Sequence, residues 1–492
     1  MSAAGRAGAF VRGTAALAGR HRLFCALLAA ALAIRAVVWL AYQPALFFYG
    51  DSYTYLGNST GLRPNPIRPI GYPLLLHVLL LGNTIAAAPA AQHLFGLVTA
   101  VICYAVLRRF GAGPVLASVA VVPVLFDGYL IDIEQYVLAE SMFMLLVVSG
   151  LALLVWRNRP SVAACAAAGA LLGAASLTRT VGMVLIVPAL LYLVLRWAGG
   201  LRIAALAVAF AVPILAYAAW FDATWGQFTV TKHDGYFLYG RVSTFATCGS
   251  YVPASQRWLC FGGDPGHREN PNFYVWHKWA TPRYRHHPFA LDGELRSFAL
   301  SAIEHQPLAY ARTVAGDLEH YASAGHWTSK LDTPFWHWRF PTKVEAPHLL
   351  QTERAVQAHG GHLAIDSALA GPLRSYQRIV FLPGTVMALM VLAGFAATAI
   401  GRREGDRRLR AEALLFTLTA LALPATAAAT TMFDYRYVLP AIPPLCVAAG
   451  VAGLVTADLV RARSGSLVAG NEARPPAEPV VAHAAGTMPP SG

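Results

Sequence analysis

Three features of this chain predict an all-α polytopic membrane protein. It is 56% hydrophobic and only 13% charged over 492 residues, its apolar residues fall into long runs, and its arginines gather in alternate gaps between those runs. A soluble domain of this length needs more surface charge. Crossing ~30 Å of hydrocarbon takes about 20 helical residues, and the runs reach that length.

Windows of that size place about ten transmembrane helices near 22–43, 88–108, 113–131, 137–156, 161–178, 180–196, 202–221, 377–400, 411–431 and 436–458. Positive charge in short loops is retained on the cytoplasmic side. Arg6, Arg12, Arg20 and Arg22 precede the first span, and Arg108 and Arg109, Arg157 and Arg159, Arg196 and Arg202, the run from Arg402 to Arg410, and Arg461 with Arg463 then all fall on that side. Both termini are therefore expected to be cytoplasmic. The first run is longer than the ~7–15 apolar residues of a signal peptide and contains Arg35, so it reads as a retained span. Arg35 is expected to face the bundle and pair there, or to snorkel outward.

The chain divides into an N-terminal membrane block at 1–221 with a first outside loop at 44–87, an outside or interfacial insert at 222–376, a second membrane block at 377–460, and a tail at 461–492. The tail is rich in Ala, Pro and Gly and is expected to be disordered and cytoplasmic. In the first loop, 71–81 is too short to span and reads as a re-entrant or juxtamembrane helix. In the insert, Pro307 opens an amphipathic pattern through Tyr310, Val314, Leu318 and Tyr321. Cys25, Cys103, Cys165 and Cys446 lie in spans and read as small apolar residues. Cys248 and Cys260 are the pair left outside, and a disulfide between them stays open.

The net charge of +13 needs no nucleic-acid partner, because the arginine bias and contacts with anionic head groups of the lipid bilayer account for it. His286, His287, His326 and His337 invite a metal reading, but no His-Glu-x-x-His or Cys/His zinc spacing accompanies them. A divalent metal recruited by acidic residues stays open, and no metal is assigned. Trp327, Trp336 and Trp338 read as interfacial aromatics. No glycine-rich nucleotide loop is present.

The loop after the first span carries Gly50-Asp51-Ser52-Tyr53 and then Arg68-Pro69-Ile70-Gly71-Tyr72-Pro73. Leu138-Ala139-Glu140-Ser141, Ser176-Leu177-Thr178-Arg179 with Gly182, and Phe433-Asp434-Tyr435-Arg436-Tyr437 before Leu439-Pro440 follow in order. Taken together these segments resemble the polyprenyl-phosphate-sugar-dependent glycosyltransferases of the GT-C fold, the class of protein O-mannosyltransferases and lipid A aminoarabinose transferases. The resemblance spans most of 20–200 and 300–460. It implies a GT-C-like bundle and an inverting transfer of a sugar from a polyprenyl-phosphate donor to a hydroxyl of a glycan, lipid or protein acceptor, on the extracytoplasmic side.

In the resembled class the Asp of the first outside loop is catalytic, which makes Asp51 the candidate base. Its competing reading is a helix cap. Arg63, Arg68, Arg179 and Arg436 fall on the same outer face and are candidates for the donor phosphate, with Arg68 and Arg179 preferred; anchoring to lipid phosphates is the competing reading. Asp132, Glu134 and Glu140 form a secondary acidic group. Asp132 also reads as a solvated loop acid and Glu134 as an interfacial one, while Glu140 needs a partner such as Arg35 or Arg179. Few lysines beside many Arg, Ala and Gly suggest a GC-rich bacterium and its inner membrane. A transporter or a non-catalytic assembly protein of the cell envelope is the alternative; it is weakened because the charges gather at span ends rather than at the midplane.

Overall fold

The computed structural model describes residues 19–277, 289–326, 328–343, 353–358, 361–400 and 406–472. These residues form an all-α membrane bundle whose only paired strands are two-residue pieces, β1 at Tyr42–Gln43 and β2 at Ala364–Ile365, antiparallel. In chain order the main helices are α1 Arg22–Ala41, α2 Tyr49–Gly61, α3 Gly71–Leu79, α4 Ala87–Arg109, α5 Pro114–Ala120, α6 Val122–Phe126, α7 Gly128–Gln135, α8 Glu140–Val155 and α9 Val162–Thr178. They continue as α10 Ile186–Leu195, α11 Gly200–Trp225, α12 Asp234–Val242, α13 Asp292–His305, α14 Pro307–Tyr321, α15 Ser367–Ile379, α16 Gly384–Ile400, α17 Asp406–Thr430 and α18 Ile442–Glu472.

Among the described residues, five helical stretches are long and apolar enough to cross a membrane: α1, α4, α11, α17 from Arg408, and the stretch Tyr435–Arg461 that includes most of α18. Helices α15 and α16 pass the same test only when taken together across a 45° bend, and α8, α9 and the Thr180–Leu195 segment are shorter apolar helices. Large apolar side chains such as Leu32, Leu40, Val208, Leu389 and Leu392 face outward. In hydrocarbon that arrangement has no cost, because the backbone polar groups are satisfied within each helix.

One expected span is corrected. The run at 113–131 is three short helices, α5 to α7, because Pro123 lacks a donor and Asp127 caps a new helix by accepting from the Tyr129 and Leu130 backbone N–H groups. Gly128 then lies so close to α15 that a Cβ there would meet Gln377 Cα at 2.7 Å. A second feature went unread in the sequence. Gly169 and Gly173 of α9 form a small-x-x-x-small face against α11, where added Cβ atoms would sit 2.2 Å from Leu206 O and 2.6 Å from Phe210 O. Gly173→Leu is therefore expected to force α9 and α11 apart and leave little folded protein, checked by detergent-extractable yield and size-exclusion profile.

The arginines of alternate loops meet at one end of the bundle. Arg109 donates to Trp156 O, Arg196 to Asn158 O, Arg202 to Pro160 O, and Arg408 to Val155 O and to Glu412. The start of α1 lies there too, through His21 and Tyr104, and α18 approaches it where Gly450 packs on Leu107 and Gly453 on Leu116.

Helices α3 and α14 occupy the stretches expected of them. The insert carries its own apolar core around Tyr239, Leu259, Leu295 and Phe298, braced by a disulfide between Cys248 and Cys260. The backbone of α18 stays helical to Glu472, past the expected boundary at 461, and 473–492 fall outside the described residues. Arg6, Arg12, Arg402, Arg403, His286, His287 and Trp327 also fall outside them.

Candidate active site

The end of the bundle opposite the basic loops holds two carboxylates and three guanidinium groups in one cluster. Asp51 sits in the first turn of α2, where the N-cap position is Phe48 and no side chain caps the helix. Its carboxylate instead takes Arg68 on Oδ1 and Arg436 on Oδ2, the latter at 2.9 Å. The helix-cap alternative for Asp51 is thereby replaced by a two-arginine clamp. Glu140, at the start of α8, pairs with Arg179 and lies 3.2 Å from Arg436 Nε. Arg436 thus bridges both carboxylates, and its guanidinium also lies over the rings of Phe48, Trp338 and Tyr437 at 5.0, 5.1 and 5.4 Å.

Local sequence explains how each group arrives. Asn65 accepts the backbone N–H groups of Ile67 and Arg68 in an Asx turn that presents Arg68. Gly71 then lets α3 begin against the end of α9, where a Cβ would stand 2.7 Å from Leu177 O. Arg179 is the residue that ends α9, in extended backbone, so this one close approach sets Arg68 beside Arg179. Tyr72 completes the motif by donating to Gln92 Oε1, and Gln92 donates to the carbonyls of Glu134 and Tyr136. Asp434 accepts from the Arg436 backbone N–H and from Trp338 Nε1, which fixes the turn that carries Arg436.

Burial alone would push the Asp51 carboxyl up, but Arg68 and then Arg436 outweigh it and hold it at about 2. Asp434 is moved the other way, upward, because burial dominates over the field of Arg436. The two carboxylates Asp51 and Glu140 form ion pairs with three arginines, Arg68, Arg179 and Arg436, and Asp434 stands in the field of Arg436 as well.

A cavity of about 390 Å³ opens on this cluster. Asp51, Arg68, Arg179 and Arg436 line it, together with Tyr55, Tyr437, and Thr426 and Thr430 of α17. The insert contributes Asp234, Phe237 and Arg296, which the sequence reading did not single out. They lie far from the motifs in the chain, and only their common approach to Asp51 marks them. A separate apolar cavity is lined by Ile70, Gly71, Leu74, Met142, Leu177 and Pro213, and its residues Ile70 and Leu177 lie within two positions of Arg68 and Arg179.

Several expectations are corrected. Arg63 is exposed and is not among the residues lining the cavity. Asp132 and Glu134 are buried, each 1% exposed, so neither is a solvated or interfacial acid, and neither lines the Asp51 cavity. Glu134 takes Arg35 in a fork, Nε at 2.8 Å and Nη2 at 3.0 Å, and His93 at 2.8 Å. Arg35 therefore faces the bundle and pairs there, with Glu134. Trp338 is buried beneath the cluster, whereas Trp336 is half exposed. His326 stacks on Phe335 and His337 meets Phe48 edge-on. Among the described residues no three His, Cys, Asp or Glu side chains form a group that could hold a metal.

No curated protein sequence matches the chain. Among solved structures, the chain is 17% identical to the protein O-mannosyltransferase complex of S. cerevisiae bound to its sugar donor, covering 46% of this chain and 36% of that one with a TM-score of 0.35. It is 11% identical to the oligosaccharyltransferase of Archaeoglobus fulgidus, over 89% of this chain and 50% of that one with a TM-score of 0.39. It is 15% identical to ArnT from Cupriavidus metallidurans bound to undecaprenyl phosphate, over 87% and 77% with a TM-score of 0.35. The chain thus spans about a third of the first and half of the second. Similarity at this level leaves the chemistry of the site to the chain's own residues. Residues 83–224 match the dolichyl-phosphate-mannose-protein mannosyltransferase family, and over that stretch the chain is similar to glycosyltransferases of the GT-C fold.

Proposed function

We propose that this protein is a membrane glycosyltransferase that moves a sugar from a polyprenyl-phosphate donor to a hydroxyl acceptor on the extracytoplasmic side. The single observation that carries the reading is Asp51 clamped between Arg68 and Arg436 at the wall of a cavity that Arg179 also lines. The acceptor oxygen attacks the anomeric carbon, its proton passes to Asp51, and the bond from that carbon to the phosphate oxygen breaks. Polyprenyl phosphate leaves with the bonding electrons. One displacement from the opposite face inverts the configuration.

A carboxylate held at about 2 is a weak base. A donor phosphate competes for the same guanidinium groups, and its binding to Arg68, Arg179 and Arg436 would loosen their hold on Asp51 and raise its basicity. Three guanidinium groups with planar donor pairs suit the phosphate oxygens in that exchange. Glu140 lies behind Arg179 and Arg436 and acts as a positioning residue. The apolar cavity beside Arg68 and Arg179 offers a route for the isoprenoid tail, and Asp234 and Arg296 stand where sugar or acceptor hydroxyls would be read. The match of residues 83–224 to a mannosyltransferase family supports a lipid-linked sugar as co-substrate.

The test is transfer of radiolabelled sugar from a panel of polyprenyl-phosphate donors by membranes with and without the protein. Protein-dependent consumption of one donor supports the reading and names the sugar. A panel covering hexosyl, pentosyl and aminosugar donors with none consumed overturns it. Arg179→Ala is expected to lower kcat/KM for that donor by about 10- to 100-fold, the worth of a hydrogen bond to a charged group, mostly through KM. Steady-state kinetics on the purified variant checks this.

A further inference from the structure

A second large cavity on the same end of the bundle takes no part in the chemistry above. It measures about 470 Å³ and is lined chiefly by Arg339, Arg374, Arg378, His326, Tyr129 and Phe335. A wall of rings separates it from the Asp51 cavity. Tyr435 meets Tyr129 at 5.1 Å and Phe335 at 4.8 Å, while its neighbour Arg436 turns to the other side.

Helix α15 supplies the cationic side. Its buried face is Ala370, Leu373 and Gln377. Gly371, Arg374, Ser375 and Arg378, at three- and four-residue spacing, line the cavity instead. The helix is held firmly, since Gln377 accepts from Phe340 N and donates to the carbonyls of Gly128 and Trp338, and Tyr376 donates to Phe126 O. Arg374 and Arg378 are thus displayed on a fixed scaffold.

Neither Arg374, Arg378 nor Arg339 forms an ion pair with a carboxylate among the described residues. Asp132 feels Arg374 electrostatically but makes no ion pair with it. Arg339 lies over the Phe335 ring at 5.5 Å. His326 is pushed down to about 4 by burial and then by Arg339, so at neutral pH it offers a hydrogen bond and no charge. Three guanidinium groups converging without an ion pair among the described residues match an anion, and their planar donor pairs match phosphate oxygens.

The position of the cavity says what carries that phosphate. Helix α15 carries Arg374 and Arg378 and meets the apolar α16 at a 45° bend; unpaired guanidinium groups are costly in hydrocarbon and settle at the interface, which places this part of α15 at the bilayer surface. Ile379, next to Arg378, is 79% exposed, and Trp336, next to Phe335, is half exposed. A cationic cavity flanked by outward apolar side chains suits an amphiphile with its phosphate in the cavity and its chains in the bilayer.

We propose that this cavity binds the phosphate group of a net-anionic amphiphile at the bilayer surface, as a second anion site separate from the Asp51 cavity. The site does not depend on the transferase reading, and its test uses binding rather than transfer, so the two can fail separately.

The experiment is native mass spectrometry of the delipidated full-length protein in detergent, titrated with phosphatidylglycerol or phosphatidylcholine, with sodium phosphate as a soluble competitor. The first phosphatidylglycerol is expected to bind at least about tenfold tighter than phosphatidylcholine, the worth of one charge-assisted hydrogen bond. Arg374→Gln with Arg378→Gln should remove that preference, whereas Arg68→Gln in the other cavity should keep it. Millimolar phosphate that leaves the lipid in place assigns the site to a head group, and phosphate that displaces it in wild type alone assigns the same site to a free anion. Equal binding of the two lipids, or a double variant that binds as wild type does, overturns the proposal. If the double variant fails to fold, Arg339→Gln, an exposed position, carries the same comparison.

Discussion

Asp51→Asn is expected to abolish sugar transfer while leaving the bundle folded. The substitution keeps the size of the side chain and can still accept from one of the two arginines through its carbonyl oxygen, but it removes the group that takes the acceptor proton. General-base catalysis is worth about 10²- to 10⁴-fold, so activity should fall by that factor at matched protein abundance. Arg436 keeps Glu140 as a partner, which limits the structural damage. Transfer of labelled sugar and a thermal melt, measured on the same preparation, check the two halves. Wild-type activity in the variant would remove Asp51 from the chemistry and with it the placement of the site.

The pH dependence carries the same idea. The folded-state value of Asp51 is depressed to about 2, below the ~3.9 of an unfolded Asp. Its clamp therefore contributes stability fully present above the unfolded value and lost as pH falls toward 2. Between pH 5 and 8 that contribution is constant. The kcat/KM profile should accordingly show no acid limb from Asp51 in that window. If donor binding draws the arginines away, the profile of kcat should show an acid limb at higher pH than that of kcat/KM. Coincident profiles would show that the donor does not loosen the clamp.

The second large effect lies in the membrane interior, at Arg35. Its guanidinium grips Glu134 in a fork and donates to Leu125 O at 2.7 Å, with both side chains 1% exposed. Arg35→Ala leaves a carboxylate in hydrocarbon surroundings with only His93 beside it. Breaking a buried pair from one side costs about 3–5 kcal/mol, so the midpoint of thermal or detergent-induced unfolding should drop strongly. Arg35→Met with Glu134→Gln removes the stranded charge and should recover much of that loss. A single variant as stable as wild type would mean that the pair contributes nothing to the fold. Gly96 belongs to the same contact, since a Cβ there would meet the Glu134 carboxylate at 1.9 Å, so Gly96→Ala should disturb the same pair.

The sequence by itself determined the class of the protein, the approximate place of its apolar helices and the gathering of arginines in alternate loops, and it named the five groups that meet at the candidate site. Those features are local. A run of apolar residues is apolar whatever surrounds it, and an Asx turn before Arg68 or a helix end at Arg179 depends on a few neighbours. Tertiary structure alone decided which charge meets which. Asp51 and Arg436 lie 385 positions apart, and the sequence left Arg35 and Arg179 both open as partners of Glu140, whereas Arg35 goes to Glu134 and Arg179 to Glu140. The same holds for Arg63, which shares a loop with Arg68 and points elsewhere, and for Asp234 and Arg296, which only the packing of the insert brings to the cavity. The break at Pro123 and Asp127 follows the same logic, because the end of that run is set by contact with α15 and the Leu382 backbone N–H. Hydropathy selects what enters the membrane, but the cost of leaving a charge unpaired there is settled only by a partner, and partners come from distant parts of the chain.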